Sequence, residues 1–164
     1  MLMFLVYAGC APSPIVLKDD YHFISFRLAA AKIPMVKGKL NGRDAWFIVD
    51  TGASVTLINK AIIKHFGLSE RFDSNEDKTE INGLGGRVGF ESFVCKIEIG
   101  ILTINHAALK SKDLNGLFAL ISGRENIRIT GIIGSDILSQ YGISINYESK
   151  TISYKVNEGS TVAN

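Results

Sequence analysis

The sequence predicts an all-β domain, a barrel-like arrangement of short strands with one or two short helices. Short apolar segments of strand-like composition recur along the 164-residue chain, and turn residues separate most of them. The dipeptide Asn41-Gly42 joins two of these segments, which is the strongest short-range signal for a β-hairpin. Only two short segments show helical spacing, so strands must supply most of the core.

Composition indicates one globular domain without a metal or nucleic-acid partner. The chain is 46% hydrophobic and 21% charged, with a net charge of +2, and its length is enough to bury a sizeable core. Lys and Arg are scattered and form no basic stripe that nucleic acid would require. The two cysteines and three histidines lack metal-ligand spacing. We therefore expect no metal site and no cofactor.

The N-terminal segment, residues 1–20, resembles the end of a bacterial lipoprotein signal followed by a tether. The apolar run over residues 1–8 is shorter than the about 20 residues needed to span a bilayer. Ala8-Gly9-Cys10 matches the small-small-Cys cleavage site of that class, in which the cysteine becomes lipidated. However, no Lys or Arg precedes the run, and Tyr7 stands where a small aliphatic residue is usual. A functional signal predicts a periplasmic or cell-envelope protein, lipid-anchored through Cys10, whereas an ordinary apolar tail leaves it cytoplasmic.

The first half of the domain, which we place at residues 21–157 ahead of a C-terminal tail over 158–164, leads to one aspartate. Its predicted elements are strands over 22–28, 33–40 and 45–49, an apolar run over 55–58, and a helix over 60–66. Asn59 can cap that helix, and Gly67 can end it in a left-handed conformation. The third strand is an arm of the Asn-Gly hairpin and ends at Asp50.

The second half continues the pattern of short strands and contains one more helix. Its predicted elements are a strand over 94–104 interrupted at Gly100, weaker strands over 107–109 and 117–121, a strand over 129–133, a helix over 136–141, and a hairpin of 143–147 with 151–156. Ser135 can cap the helix, and Gly142 can end it. Cys95 falls inside a strand, which predicts a buried and unreactive thiol.

A glycine-rich segment, Asn82-Gly83-Leu84-Gly85-Gly86, lies between two strand-like stretches. A phosphate-binding loop would show the GxxxxGK or GxGxxG pattern and a following helix, and this segment has none of these. We therefore expect a hairpin with a flexible tip that can close as a lid. A plain surface hairpin is the simpler alternative.

The strand that ends at Asp50 delivers a carboxylate into a turn of small residues. Thr51 and Ser54 carry hydroxyl donors, and Gly52 lets the backbone fold tightly. A strand ending in a polar turn is common, so this turn indicates a functional site only together with other parts of the chain.

Three separated stretches, in the right order, resemble the retropepsin-like aspartic proteases, and the bacterial branch of that family above all. The segment Asp50-Thr51-Gly52-Ala53-Ser54 matches the catalytic motif, and residues 82–86 are similar to the glycine-rich flap. Residues 132–138 are similar to the apolar-apolar-Gly motif that precedes the helix of the family. The likeness covers about residues 21–157 and implies a closed barrel with a flap hairpin and one or two short helices.

The resemblance also implies an aspartic endopeptidase that acts as a homodimer on peptide or protein substrates. Hydrolysis by this route needs two carboxylates that share a proton, and the chain has a single Asp-Thr-Gly. The second Asp50 must then come from another copy across a two-fold axis. Thr51 should hydrogen-bond across that axis, Gly52 should allow the two loops to approach, and Ser54 should donate to the outer oxygen of Asp50.

Residues outside the catalytic motif receive binding and structural roles from the same resemblance. The flap residues Gly83, Leu84, Gly85 and Gly86 would close over an extended peptide and donate backbone N–H groups. Ile48, Leu84 and Ile133 would line the subsites, although simple core packing explains each equally well. Gly134 and Asp136 belong to the structural motif at the start of the helix.

Two other function classes compete with the enzyme. A catalytically silent relative would bind extended peptides or act as an envelope scaffold, and the intact Asp50 turn with both of its hydroxyl donors argues against it. A β-barrel that binds a small ligand would make Asp50 a turn residue and would leave the glycine-rich hairpin unexplained.

Overall fold

The computed structural model describes residues 21–30, 32–70, 81–83, 86–88, 91–123 and 127–155. The described chain contains thirteen strands, one short 3-10 helix and two α-helices. In order they are β1 (Tyr21–Ser25), β2 (Arg27–Leu28), β3 (Pro34–Leu40), β4 (Arg43–Val49), β5 (Leu57–Asn59), the 3-10 helix (Lys60–Ile62), β6 (Ser69–Glu70), β7 (Ile81–Gly83), β8 (Gly86–Val88), β9 (Glu91–Ile99), β10 (Leu102–Lys112), α1 (Asn115–Ser122), β11 (Ile129–Ile133), α2 (Ser135–Gln140), β12 (Ser144–Asn146) and β13 (Thr151–Lys155). The predicted all-β fold with short helices is confirmed.

Six strands close into a barrel in the order β3, β4, β11, β5, β10, β9, and β9 pairs back onto β3. The β4–β11 and β5–β10 pairs are parallel, and the other barrel pairs are antiparallel. Because β4 and β11 run side by side in the same direction, their carboxyl ends meet at one end of the barrel. We call this end, where Val49 pairs with Ile133, the Asp50 end.

The Asn41-Gly42 turn joins β3 to β4 and also forms hydrogen bonds to β9 at the seam, the β3–β9 pair where the barrel closes. Both residues have positive φ, 48° and 77°, as a two-residue hairpin turn requires. The Asn41 N–H donates to Lys96 O at 2.8 Å, and Lys96 N–H donates to Asn41 Oδ1 at 2.9 Å. The seam itself pairs only Lys39 and Leu40 of β3 with Glu98 and Ile97 of β9.

The alternation of side chains along β4 separates two apolar clusters. Ala45, Phe47 and Val49 point into the barrel and belong to the interior cluster. Ile48 and the half-buried Trp46 point outward and belong to a second cluster on the outer face of the barrel. Helix α1 covers that outer face.

Three predictions about helices are corrected by the structure. Residues 117–121, expected to be a weak strand, lie in α1, where Leu114, Phe118 and Ile121 form the buried stripe at helical spacing. The helix expected over 60–66 is a 3-10 helix over Lys60–Ile62 followed by turns, although Asn59 caps it and Gly67 is left-handed as expected. The cap of α2 is Gly134, because Ser135 is already helical.

A separate sheet of β1, β13 and β12 packs beside the barrel, and Tyr154 anchors it. The Tyr154 hydroxyl donates to Ile99 O at 3.2 Å and accepts from the Ile101 N–H at 3.3 Å.

Cys95 is buried in the barrel as predicted, and burial raises the pKa of its thiol to about 12. The thiol therefore stays protonated at neutral pH.

The N-terminal segment with Cys10, the C-terminal tail and parts of the flap lie outside the described residues. Within the described ranges, no helix has the length and apolarity needed to span a membrane. The lipid anchor at Cys10 stays a prediction.

Candidate active site

Asp50 follows β4 at the Asp50 end of the barrel, where the backbone fixes its position from two sides. Its N–H donates to Ile133 O at 3.0 Å, which continues the β4–β11 ladder by one residue. The Gly52 N–H donates to Asp50 Oδ1 at 2.8 Å, so a backbone amide orients the carboxylate. Asp50 is half-buried and Gly52 is exposed. The carboxylate is therefore both held and accessible.

The loop after Asp50 is fastened to the start of α2. Ala53 N–H donates to Asp50 O at 3.2 Å, and Ser135 N–H donates to Ala53 O at 2.7 Å. Gly134 lies so close to this loop that a Cβ there would be 2.6 Å from Val55 C and 2.8 Å from Ala53 O. Only glycine fits at this position, as its predicted structural role requires.

Asp136 completes the fastening through Thr56, a buried residue that the sequence analysis did not assign to the site. Asp136 Oδ2 accepts the Thr56 N–H at 2.9 Å, and Asp136 Oδ1 accepts the Thr56 hydroxyl at 2.7 Å. Thr56 Oγ1 in turn accepts the Gly134 N–H at 3.0 Å. The two segments are about 80 residues apart in sequence, and one carboxylate and one hydroxyl join them. We call Thr56, Gly134 and Asp136 the staple.

Thr51 and Ser54 are exposed on the Asp50 turn. The Gly52 N–H donates to the Asp50 carboxylate, and the cross-axis role of Thr51 and the donor role of Ser54 stay predictions.

Ile48 and Ile133 are both 1% exposed, in agreement with the core-packing alternative for each. Ile133 lies in the interior cluster, and Ile48 lies in the outer cluster beneath α1. A subsite role for either residue stays a prediction.

The flap hairpin is present as β7 and β8, which form a two-stranded sheet of their own. Asn82 pairs with Arg87 and Gly83 pairs with Gly86 in antiparallel register, so the predicted glycines lie at the top of a hairpin. Leu84 and Gly85, at its tip, lie outside the described residues.

The described chain offers no competing chemical centre. Within the described ranges, no group of three or more His, Cys, Asp or Glu side chains could hold a metal ion.

A cavity of about 270 Å³ lies at the opposite end of β4 and is lined in part by Lys37, Asp44, Trp46 and Arg128. There the Lys37–Asp44 ion pair, at 2.8 Å, lowers the pKa of the Asp44 carboxyl. These side chains are solvated and form no constellation for catalysis.

Comparisons with known proteins agree with this geometry. A family model described as aspartyl protease matches residues 36–137. The EIAV protease in complex with the inhibitor HBY-793 is structurally similar, with a TM-score of 0.50 and 22% identity over 71% of this chain and 95% of that chain. A retropepsin-like aspartic protease from Rickettsia conorii has a TM-score of 0.47 and 12% identity, over 82% of this chain and 88% of that one. The retroviral protease-like domain of Ddi1 from Leishmania major has a TM-score of 0.47 and 15% identity, over 79% and 98%. No curated protein matches significantly in sequence.

Proposed function

The chain belongs to the aspartyl protease family with a retropepsin-like fold, and on that premise we propose that it is an endopeptidase that works as a homodimer. The two Asp50 carboxylates, one from each copy, would activate a water molecule between them. The observation that carries this proposal is the orientation of the accessible Asp50 carboxylate by the Gly52 N–H at 2.8 Å.

The proposed reaction uses one ionised and one protonated Asp50, since two like charges about 3 Å apart do not both ionise. The ionised carboxylate accepts a proton from water, whose oxygen attacks the carbonyl carbon of the peptide bond. The protonated carboxylate gives its proton to the carbonyl oxygen, and a neutral tetrahedral diol forms. The C–N bond then breaks. The carboxyl that gained a proton from water now protonates the nitrogen, and the other, now ionised, takes a proton from the diol. Both Asp50 side chains thereby return to their starting states.

The exposure of the Asp50 turn supports the homodimer. Thr51, Gly52 and Ser54 are all exposed in the single chain, although the turn is rigidly mounted. An exposed, ordered polar turn is what a two-fold contact needs, because the same residues must meet their own copies. In the dimer, Thr51 would donate to the partner backbone and Ser54 would support the outer oxygen of Asp50.

The flap supports a peptide substrate in extended conformation. The β7–β8 hairpin would close over the substrate and donate backbone N–H groups near Gly83 and Gly86, as in strand addition. Closure would remove bulk water from the reacting carbonyl.

The apolar leader with Cys10 would hold the enzyme in the cell envelope. A mass increase in the native host, absent from Cys10→Ser, would support that location, and an unmodified Cys10 would contradict it.

The test is cleavage of a mixed peptide library between pH 4 and 7 by the full chain and by Asp50→Asn. The enzyme proposal expects turnover that disappears in Asp50→Asn, because asparagine cannot accept the proton from water. It also expects the rate to rise more than linearly with protein concentration at low concentration, because two copies build one site. A folded chain that binds peptides but cleaves none would instead establish the silent peptide-binding relative.

A further inference from the structure

The cavity at the end of β4 away from Asp50 lies where the β4–β11 ladder is irregular. The register shifts between Ile129 and Gly131, so Thr130 is an extra residue on β11. The Trp46 N–H donates to Thr130 Oγ1 at 3.2 Å at this bulge. Trp46 and Thr130 both line the cavity of about 270 Å³. We call it the Trp46 cavity.

One wall of the Trp46 cavity is the turn after the 3-10 helix, and hydrogen bonds hold this turn in place. His65 and Phe66 supply the wall, and their rings pack edge to face with centroids 4.9 Å apart. Arg43 Nη1 donates to His65 O, and Asn41 Nδ2 donates to Phe66 O at 3.3 Å. The wall therefore keeps its position without a ligand, as the walls of most small-molecule sites do.

The lining of the Trp46 cavity combines apolar walls with an excess of positive charge. Phe66 is buried, and Trp46 and Ile127 are half-buried, so each offers apolar surface. Lys37 and Asp44 neutralise each other, because their charged groups lie 2.8 Å apart.

Arg128 carries the charge that remains. Among the residues that the structure describes, no carboxylate forms an ion pair with its guanidinium. With His65 uncharged, the lining has one positive charge in excess. A ligand that complements this lining has an apolar body and a single negative charge.

We propose that the Trp46 cavity binds a small aromatic carboxylic acid, with its ring against Trp46 and its carboxylate on Arg128. A guanidinium forms two parallel hydrogen bonds with a carboxylate, and aromatic rings pack favourably against each other. The volume is close to the lower end of the range for ligand sites, about 300 Å³, which suits a single ring. A free phosphate would leave the apolar walls uncovered. This proposal is independent of the proposed function, because Asp50 lies at the other end of β4.

The test uses the fluorescence of Trp46, which is the single tryptophan of the chain and so reports on the cavity directly. The full chain is titrated with phenylacetate and with phenylacetamide, which has nearly the same shape but no charge. We expect phenylacetate to bind saturably and phenylacetamide to bind about tenfold more weakly, since its hydrogen bond to Arg128 is not assisted by charge. No saturable change in emission or in calorimetric heat, or equal affinities for the two probes, would overturn the proposal.

A pair of variants locates the carboxylate. Arg128→Gln should weaken the binding of phenylacetate about tenfold and leave that of phenylacetamide nearly unchanged. Lys112→Gln is the matched control, because it removes one exposed positive charge from β10, outside the cavity. Unchanged affinity for phenylacetate in Arg128→Gln, or an equal loss in Lys112→Gln, would overturn the proposal.

Binding of phenylacetate to Asp50→Asn separates this site from the proposed active site. We expect the affinity of the wild type, because the Asp50 carboxylate does not line the Trp46 cavity. A tenfold change of affinity in Asp50→Asn would place the probe beside Asp50 and overturn the proposal. A chain that binds phenylacetate through Arg128 but cleaves no peptide would support this site and contradict only the proposed function.

Discussion

The loop after Asp50 and helix α1 both border the outer cluster of the barrel, but different forces hold them. The loop depends on directional hydrogen bonds from the staple, in which Asp136 accepts two bonds from Thr56 and Thr56 accepts one from Gly134. Helix α1 depends on the burial of Phe118 and Ile121 against the outer cluster. Directional bonds fix atoms to a fraction of an ångström, whereas apolar packing supplies stability and tolerates changes of shape.

This contrast predicts different effects for substitutions in the two regions. A substitution in α1 should alter stability and leave the geometry of Asp50 intact. A substitution in the staple should alter the geometry of Asp50 and cost comparatively little stability. The following predictions test that division, beginning with the largest expected effect on stability.

Phe118→Ala should lower the free energy of unfolding by about 3–5 kcal/mol, because it removes the largest buried side chain of α1 and leaves a cavity. The kcat of the molecules that remain folded should change less than threefold. Urea unfolding gives the stability, and active-site titration gives kcat per functional site. A hundredfold loss of kcat in the folded fraction would mean that α1 also positions the loop after Asp50.

Gly134→Ala should lower the free energy of unfolding by about 3 kcal/mol, since its Cβ would lie 2.6 Å and 2.7 Å from the backbone C and O of Val55. The loop must move away from Asp50, and a displacement near 1 Å can lower kcat about 100-fold. Gly116→Ala is the matched control, because a Cβ at Gly116 has no neighbour within 4 Å. Normal kcat in Gly134→Ala would show that the loop adapts without disturbing the carboxylate.

Asp136→Asn should cost about 1–2 kcal/mol of stability, because an amide nitrogen would face the Thr56 N–H in place of an accepting oxygen. The other oxygen can still accept the Thr56 hydroxyl and the Ile137 N–H, so the fold should persist. We expect kcat to fall further than stability predicts and KM to change little, because the Asp50 turn loosens. Equal losses for Asp136→Asn and for an exposed substitution such as Ser149→Ala would contradict the staple.

Local sequence patterns predicted the barrel strands because each carries its own signal. The Asn41-Gly42 turn fixes the register of β3 and β4, and the apolar residues before Asp50 identify the strand that carries it. Helix α1 was missed because Leu117 to Ile121 is a short apolar run, and such a run suits a strand as well as a helix. The spacing of Leu114, Phe118 and Ile121 was the available signal for the helix.

The staple could be predicted only in part. Gly134 and Asp136 were assigned a structural role through their motif, but nothing in the local sequence connects Asp136 with Thr56, which lies 80 residues earlier. That contact exists because the parallel β4–β11 pair brings the two segments to one end of the barrel. The segment after Asn59 was predicted as a helix because Ile62 and Phe66 are spaced for one. The barrel interior instead takes Ile62 from the 3-10 helix and Phe66 from the turn that follows it.

The bonds of Asn41 also bear on the order of events during folding. The β3–β4 hairpin is a local structure that can form within microseconds, before distant strands meet. The same Asn41 then offers its backbone N–H and side-chain oxygen to Lys96, 55 residues away, where β9 must arrive to complete the barrel. Closing such a long loop has a high entropic cost, so ring closure belongs to the slow, late part of folding. The residue that starts the first hairpin thus also provides the contact at which the barrel closes.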